Sequence, residues 1–331
     1  MLLGKFMPPH RGHQYMIDFA RRCVDDLTVL VCSLPGDPIP GRLRYEWMRD
    51  HFGGVNVVHC EEVVPQTPED DPEHFWDIWR ELVLRYTPCR PDVVFASEAY
   101  GVRLAQELRA QFMPVDPARE VVPVSATLIR SDPQRYFEYL LPEARPYFTR
   151  RVVLVGPESS GKSTLTKWLA QRFCTPFVAE YGRTFQENVG RDLRLEDMLV
   201  IAAAHQAAED AISIQGKGLI FVDTEAIITK AWCRVFFKAV PEGLESLIRP
   251  NRYALYFLTE PHSHEWHDDG WRLQPDRADR MRFCHEVRAE LEAYGCPYLV
   301  LSGDWEDRQR QAEAAVNRLW VDSSPSERAL G

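Results

Sequence analysis

The sequence predicts an α/β protein made of two tandem doubly wound parallel-sheet domains. Three observations lead there. A chain of 331 residues accommodates two domains at ~100–200 residues each. Short apolar runs alternate with longer amphipathic segments, as expected of parallel strands joined by helices. The rhythm restarts after Pro142-Glu-Ala-Arg-Pro146, which places the boundary near residues 142–150 and the domains at 1–146 and 147–331.

In the first half, strands are expected at Leu2–Phe6, Leu27–Ser33, Val55–His59, Val93–Ser97 and Glu120–Val124, with helical patterns at His13–Val24 and Val102–Gln111. Leu43 to Trp47 reads as a helix with a packed face, where Arg42 or Arg44 is placed to meet a phosphate. The Pro-rich acidic stretch from Pro65 to Pro72 reads as a surface loop. In the second half, strands are expected at Arg151–Gly156, Pro176–Tyr181, Leu219–Thr224, Ala254–Glu260 and Tyr298–Ser302. A helix begins near Lys162, and others fit Leu195–Ile214, Glu225–Phe237, Asp276–Tyr294 and Trp305–Trp320. The segment Asp322–Gly331 reads as a frayed tail.

Composition narrows the function classes. Hydrophobic residues at 45% and aromatics at 11% exclude a disordered chain. With 39 basic against 49 acidic side chains and a net charge of −10, no basic footprint for nucleic acid is expected. The eight cysteines show no CxxC spacing and read as reduced thiols. No apolar run approaches the ~20 residues that span a bilayer, so a soluble, cytoplasmic protein is expected.

The strongest local signal is Gly156-Pro-Glu158-Ser159-Ser160-Gly161-Lys162-Ser163-Thr164. It follows an apolar strand and opens a helix, the context that a G-x-x-x-x-G-K-[ST] phosphate loop requires. Glycines let the backbone close on phosphate oxygens, and the helix start offers unpaired N–H groups. Lys162 suits the β and γ phosphates of ATP, and the Ser163 hydroxyl suits Mg²⁺. Asp223 ends the apolar run Leu219–Val222, where a P-loop fold places a carboxylate for Mg²⁺ or its water.

No Asn-Lys-x-Asp guanine reader is present, which leaves a small-molecule kinase as the leading class. Glu180 is the candidate acceptor-site base, and Tyr181 and Arg183 follow it. Asp268, Asp269 and Arg272, with Arg277 and Arg280, read as a lid over the phosphates. His262, His264, His267 and Asp268 partly imitate a zinc-ligand pattern but misplace its Asp, so a polar loop is the preferred reading.

Near the amino terminus, Gly4-Lys5-Phe6-Met-Pro8-Pro9-His10-Arg-Gly12-His13 follows a short strand and opens a helix. His10 and His13 are helical neighbours, and Gly12 permits close approach of a phosphate to the backbone. This run resembles the first signature of the nucleotidylyltransferase superfamily, in which H-x-G-H histidines bind ATP phosphates and a basic residue, here Lys5, accompanies them. Val124-Ser125-Ala-Thr127-Leu-Ile-Arg130 is similar to its second signature, with Val for the usual Ile. That resemblance implies phosphate contacts from Ser125 and Thr127, and charge neutralisation on the leaving pyrophosphate by Arg130.

A nucleotidylyltransferase followed by a P-loop kinase resembles the NadR family, bifunctional nicotinamide mononucleotide adenylyltransferases fused to ribosylnicotinamide kinases. Similarity spans residues 2–320 and includes Ser97-Glu98, Val115-Asp-Pro-x-Arg119, Glu180-Tyr-Gly-Arg183 and Asp268-Asp-Gly-x-Arg272. The family implies a Rossmann-like amino-terminal domain and a carboxyl-terminal P-loop domain. It further implies ATP and Mg²⁺ as cofactors, and nicotinamide riboside, nicotinamide mononucleotide and NAD as ligands. Trp76 and Trp79 are candidates to stack on the nicotinamide ring, and Ser97 and Glu98 to contact substrate. The helix-turn-helix repressor domain of some members is not expected here. A nucleotide-sensing regulator coupled to riboside uptake is the alternative, and the oligomeric state stays open.

Overall fold

A computed structural model describes residues 1–261, 274 and 276–321. The described residues divide into two compact units, residues 1–148 and those from 149 to 321.

In the amino-terminal unit the strands are β1 (Leu2–Gly4), β2 (Thr28–Cys32), β3 (Asn56–Cys60), β4 (Val93–Ala96) and β5 (Gln111–Pro114). The helices are α1 (Arg11–Ala20), α2 (Gly41–His51), α3 (Phe75–Tyr86), α4 (Tyr100–Leu108), α5 (Ala126–Ser131) and the single turn α6 (Arg145–Phe148). β1, β2 and β3 pair in parallel with β2 in the middle, and β4 pairs in parallel with β5. Two bonds join these ladders: the Met1 ammonium donates to Val93 O at 2.7 Å, and Phe95 N–H donates to Met1 O at 3.0 Å. The strand order is therefore 3-2-1-4-5, a doubly wound sheet whose order reverses beside β1. Ile17, Val29, Val31 and Phe95 are sealed in the core under α1.

The expected strand at Glu120–Val124 does not form, and β5 takes its place. The Asp116 carboxylate accepts the N–H groups of Glu120, Val121 and Val122 at 2.9, 3.3 and 3.2 Å. Those donors are satisfied by one side chain instead of a ladder, and the chain turns. The helix expected to run to Gln111 stops at Leu108 because Arg109 is left-handed at φ +52°.

The carboxyl-terminal unit has strands β6 (Arg150–Val155), β7 (Phe177–Val178), β8 (Leu219–Asp223), β9 (Leu255–Thr259) and β10 (Tyr298–Leu301). Its helices are α7 (Lys162–Arg172), α8 (Tyr181–Val189), α9 (Leu195–Ser213), α10 (Ala226–Trp232), the one-turn α11 (Leu244–Leu247), α12 (Arg277–Ala293) and α13 (Trp305–Val321). All five strands are parallel in the order β10-β9-β6-β8-β7. β6 is central and fully buried along its length, which explains the apolar run Val152–Val155 that follows its two arginines. The helix expected over Glu225–Phe237 breaks into α10 and a π-helical turn at Cys233–Phe237. Among the described residues no helix is long and apolar enough to cross a membrane.

Candidate functional site

In the amino-terminal unit, residues 5–10 link β1 to α1 at the carboxyl edge of the sheet, where ligands of such folds bind. Phe6 is held at φ +48°, a strained setting for a side chain this large. What holds the loop is Arg44 in α2, completely buried. Its guanidinium donates to Lys5 O, to Ile39 O at 2.9 Å and to Cys32 O at 3.1 Å, and pairs with Asp37 at 2.6 Å. Asp37 in turn meets Lys5 Nζ at 3.4 Å. Arg44 thus braces the phosphate loop from behind, and Arg42 pairs with Glu46 on the surface. Neither arginine lines the cavity described next.

His10 caps α1. Its Nδ1 accepts the Gly12 N–H at 3.1 Å, while its own N–H donates to His13 Nδ1 at 3.2 Å. With both Nδ1 atoms accepting, each neutral ring carries its proton on Nε2. Burial pushes His10 down to about 3 and His13 well below its ordinary value, and the Arg119 cation adds to both shifts. The two rings lie 3.7 Å apart. A side chain at Gly12 would meet the His10 ring at 2.9 Å, which accounts for glycine in the first turn of α1.

The second signature closes on the first. Ser125 caps α5 by accepting Leu128 N–H at 3.2 Å. Arg130 donates both to Met7 O and, at 3.2 Å, to Thr127 Oγ1, so one guanidinium ties the two loops. A cavity of about 1130 Å³ opens here, lined by Lys5, Phe6, His10, Gly12, His13, Ser125, Thr127 and Arg130, with Trp76, Trp79, Ser97 and Glu98 also on its wall. Pro8, a cofactor-contact candidate, is buried and does not line it. Trp79 donates to Pro65 O at 2.9 Å and packs partly into the core, whereas Trp76 carries Arg103 over its ring. Ser97 donates to Val115 O at 2.7 Å, and Glu98 pairs with Arg119 at 3.3 Å.

In the carboxyl-terminal unit the phosphate loop joins β6 to α7. Gly156 sits at φ +142°, and a Cβ there would lie 2.4 Å from Thr259 O, so only glycine lets the loop leave the sheet. Ser160 Oγ bonds Pro157 O at 2.8 Å and Thr259 Oγ1 at 2.6 Å. Ser159 and Gly161 are both left-handed. Lys162 Nζ donates to Pro157 O at 2.8 Å, and Glu158 accepts Gln274 N–H at 3.0 Å.

Asp223 is buried at the end of β8. Burial pushes its carboxyl up to about 6, and Glu180 pushes the same way, against Lys162, the Ser163 hydroxyl and Arg183. Those expected residues therefore converge. Its Oδ1 is buried without a protein partner. A cavity of about 460 Å³ beside the loop is lined by Glu158 through Thr164, Glu180 and Arg183. Tyr181 departs from the expectation of a substrate contact. Its N–H meets His205 Nδ1 at 3.4 Å, its ring lies against Phe185, and it is absent from the cavity wall. Arg280, expected in a lid, is buried and donates to Gln274 O at 3.0 Å. Asp268, Asp269, Arg272 and the three histidines His262, His264 and His267 lie outside the described residues.

Sequence reasoning passed over two features. Arg308 in α13 donates to Ser160 O at 3.1 Å, Glu260 O at 3.2 Å and Gly303 O at 3.2 Å, a brace visible only in three dimensions. The cavity wall also carries Glu225, Ile228, Thr229, Trp232 and Phe236. Their spacing of three and four marks one helical face, a signal present in the sequence and read there only as a helix over Glu225–Phe237.

Two parallel α/β units, each with a phosphate-directed loop between its first strand and the following helix, define a tandem nucleotide-handling protein. Residues 151–308 match the family described as an AAA domain, a P-loop nucleotide-binding domain. The trifunctional NAD biosynthesis/regulator protein NadR of Escherichia coli (strain K12) is 30% identical over 93% of this chain and 80% of its own length. The protein of the same description from Salmonella typhimurium (strain LT2) is equally similar, with the same coverage. A solved NadR protein in complex with NR superposes with a TM-score of 0.77 at 22% identity, covering 96% of this chain and 94% of that one. One in complex with NAD and AMP-PNP gives 0.75 at 22%, covering 97% and 95%. The chain belongs to the NadR family.

Proposed function

We propose that this chain makes NAD from nicotinamide riboside in two ATP-dependent steps, the kinase step in residues 147–331 and the adenylyl transfer in residues 1–146. The observation that supports this most is the completeness of both phosphate sites within one chain of the NadR family. His10, His13, Thr127 and Arg130 gather on one cavity, and Lys162, Ser163, Glu180 and Asp223 gather on the other site.

In the kinase step the 5′-hydroxyl of the riboside attacks the γ-phosphorus of ATP, and ADP leaves. Glu180 takes the hydroxyl proton, and Lys162 offsets the charge of the transferring phosphoryl group. The buried, unpartnered Oδ1 of Asp223 beside the Ser163 hydroxyl fits Mg²⁺, which supplies neutralisation of the β and γ oxygens when bound.

In the adenylyl step the mononucleotide phosphate attacks the α-phosphorus of a second ATP, and pyrophosphate leaves. No general base is needed, because the attacking oxygen is already anionic. The protein contributes orientation and fixed donors: the Nε2–H groups of two neutral imidazoles, the α1 amino end and the Arg130 guanidinium. Trp76 and Trp79 offer faces for the nicotinamide ring.

Purified protein given Mg·ATP and either riboside or mononucleotide, with products separated by chromatography, tests the proposal. Mononucleotide from the first and NAD from the second are expected. ATP binding with neither product would overturn the reading in favour of a sensor.

A further inference from the structure

Glu225 and the helix it caps line the carboxyl-terminal cavity but belong to neither phosphate-site motif. Glu225 follows Asp223 by two residues and is only 3% exposed. Its Oε1 accepts Ile227 N–H at 2.9 Å, capping α10. Its Oε2 has no protein partner although it is buried and the residue lines the cavity. An acceptor withdrawn from water without a partner is costly, and here the cavity is the place from which a partner can come.

The rest of the same helical face says which part of a ligand that is. Ile228 and Thr229 come next, followed by Trp232 and Phe236, whose rings stack at 4.5 Å and 20°. The π-helical turn at Cys233–Phe237 carries Phe236 onto this face, a local device frequent at functional sites. The axial order is thus the Asp223 carboxylate where phosphoryl transfer is proposed, then an orphan acceptor, then an aromatic surface. By helical rise the aromatic surface begins roughly 10 Å beyond Glu225. A nucleoside presents the same order: a 5′-hydroxymethyl group, a sugar diol, then a planar ring.

Resting on the kinase reading above, we propose that Glu225 is a specificity-determining residue that hydrogen-bonds the 2′,3′-diol of the acceptor riboside through Oε2. The carboxyl group is pre-oriented by its cap bond, so the contact needs no rotamer ordering. A deoxy analogue leaves Oε2 buried and unpaired, and sites of that kind reject the lesser substrate strongly.

The test compares phosphorylation of nicotinamide riboside with its 2′-deoxy and 3′-deoxy counterparts. Wild-type protein is expected to lose on the order of 10²-fold or more in kcat/KM on at least one deoxy analogue. Glu225→Asp keeps a good helix cap but withdraws the carboxyl group. It should raise the riboside KM, leave the ATP KM unchanged, and shrink the deoxy penalty to roughly threefold or less. Glu225→Gln keeps the reach and should retain most of the penalty. Wild-type protein that takes both deoxy ribosides within about threefold of the parent overturns the inference, whatever the variants do. So does a penalty undiminished in Glu225→Asp. Wild-type protein with no turnover of any pyridine riboside fails the kinase reading itself and takes this inference with it.

Discussion

The two phosphate sites solve the same electrostatic problem by different means. The amino-terminal site sets two neutral imidazoles, fixed by backbone N–H groups at the start of α1 and held far from protonation by burial, beside the Arg130 guanidinium. The carboxyl-terminal site concentrates ionisable groups around the buried Asp223, with Asp223 and Glu180 opposed by Lys162 and Arg183. The difference follows the proposed chemistry. Adenylyl transfer between phosphates moves no proton from carbon or hydroxyl, so donors of fixed direction suffice. Phosphoryl transfer to a hydroxyl needs a proton acceptor and a metal-directed carboxylate, and so it has to hold two carboxyl groups close together, one of them buried.

The sharpest way to break this comparison is to disable one site and read both. Lys162→Ala should lower riboside phosphorylation on the order of 10³-fold or more, with adenylyl transfer by the same preparation unchanged. A parallel fall in both rates in a folded variant would show that the sites are not independent. His13→Ala should do the converse, costing about 10²-fold in adenylyl transfer through the loss of one fixed donor. An unchanged rate would remove that ring from the phosphate path.

A smaller effect separates bracing from chemistry. Arg308→Lys keeps the charge but loses the planar fork that serves three carbonyls, and should raise the ATP KM of the kinase step roughly tenfold with little change in kcat. A kcat loss instead would place Arg308 in direct contact with the transferring group. Smallest of all is an expected absence of change. Nitrogen-edited NMR of the His10 and His13 rings should report the Nε2–H tautomer with no imidazolium between about pH 7.5 and 5, the range in which an ordinary histidine titrates. Protonation of either ring in that window would erase the contrast with the other site.

Much of this was legible from the chain alone. The run Val152–Val155 of β6 read as a buried strand because it is apolar throughout, and the phosphate loop beside it is local by nature, with its glycines and Lys162 close together in sequence. The strand expected at Glu120–Val124 failed because Asp116, four to six residues upstream, captures its backbone donors, a competition that hydrophobic pattern does not register. Arg44 and Arg308 were misread or missed for a related reason. Each serves carbonyl oxygens that are distant in sequence, and carbonyls carry no residue identity. Tyr181 shared a motif with Glu180 and Arg183, yet helix geometry turned its ring onto Phe185.

Arg308 also has a consequence for the order in which the protein becomes competent during synthesis. A chain emerging from the ribosome completes β6, the phosphate loop and α7 long before α13, since residue 308 follows Ser160 by 148 positions. Until that last helix is made, the Ser160 and Glu260 carbonyls lack the guanidinium that serves them in the finished unit. Domains acquire their contacts as units, so the nascent loop is incomplete as a nucleotide site despite having its whole motif. Truncation before α13 should leave a chain that carries the signature of an ATP-binding protein and binds ATP poorly.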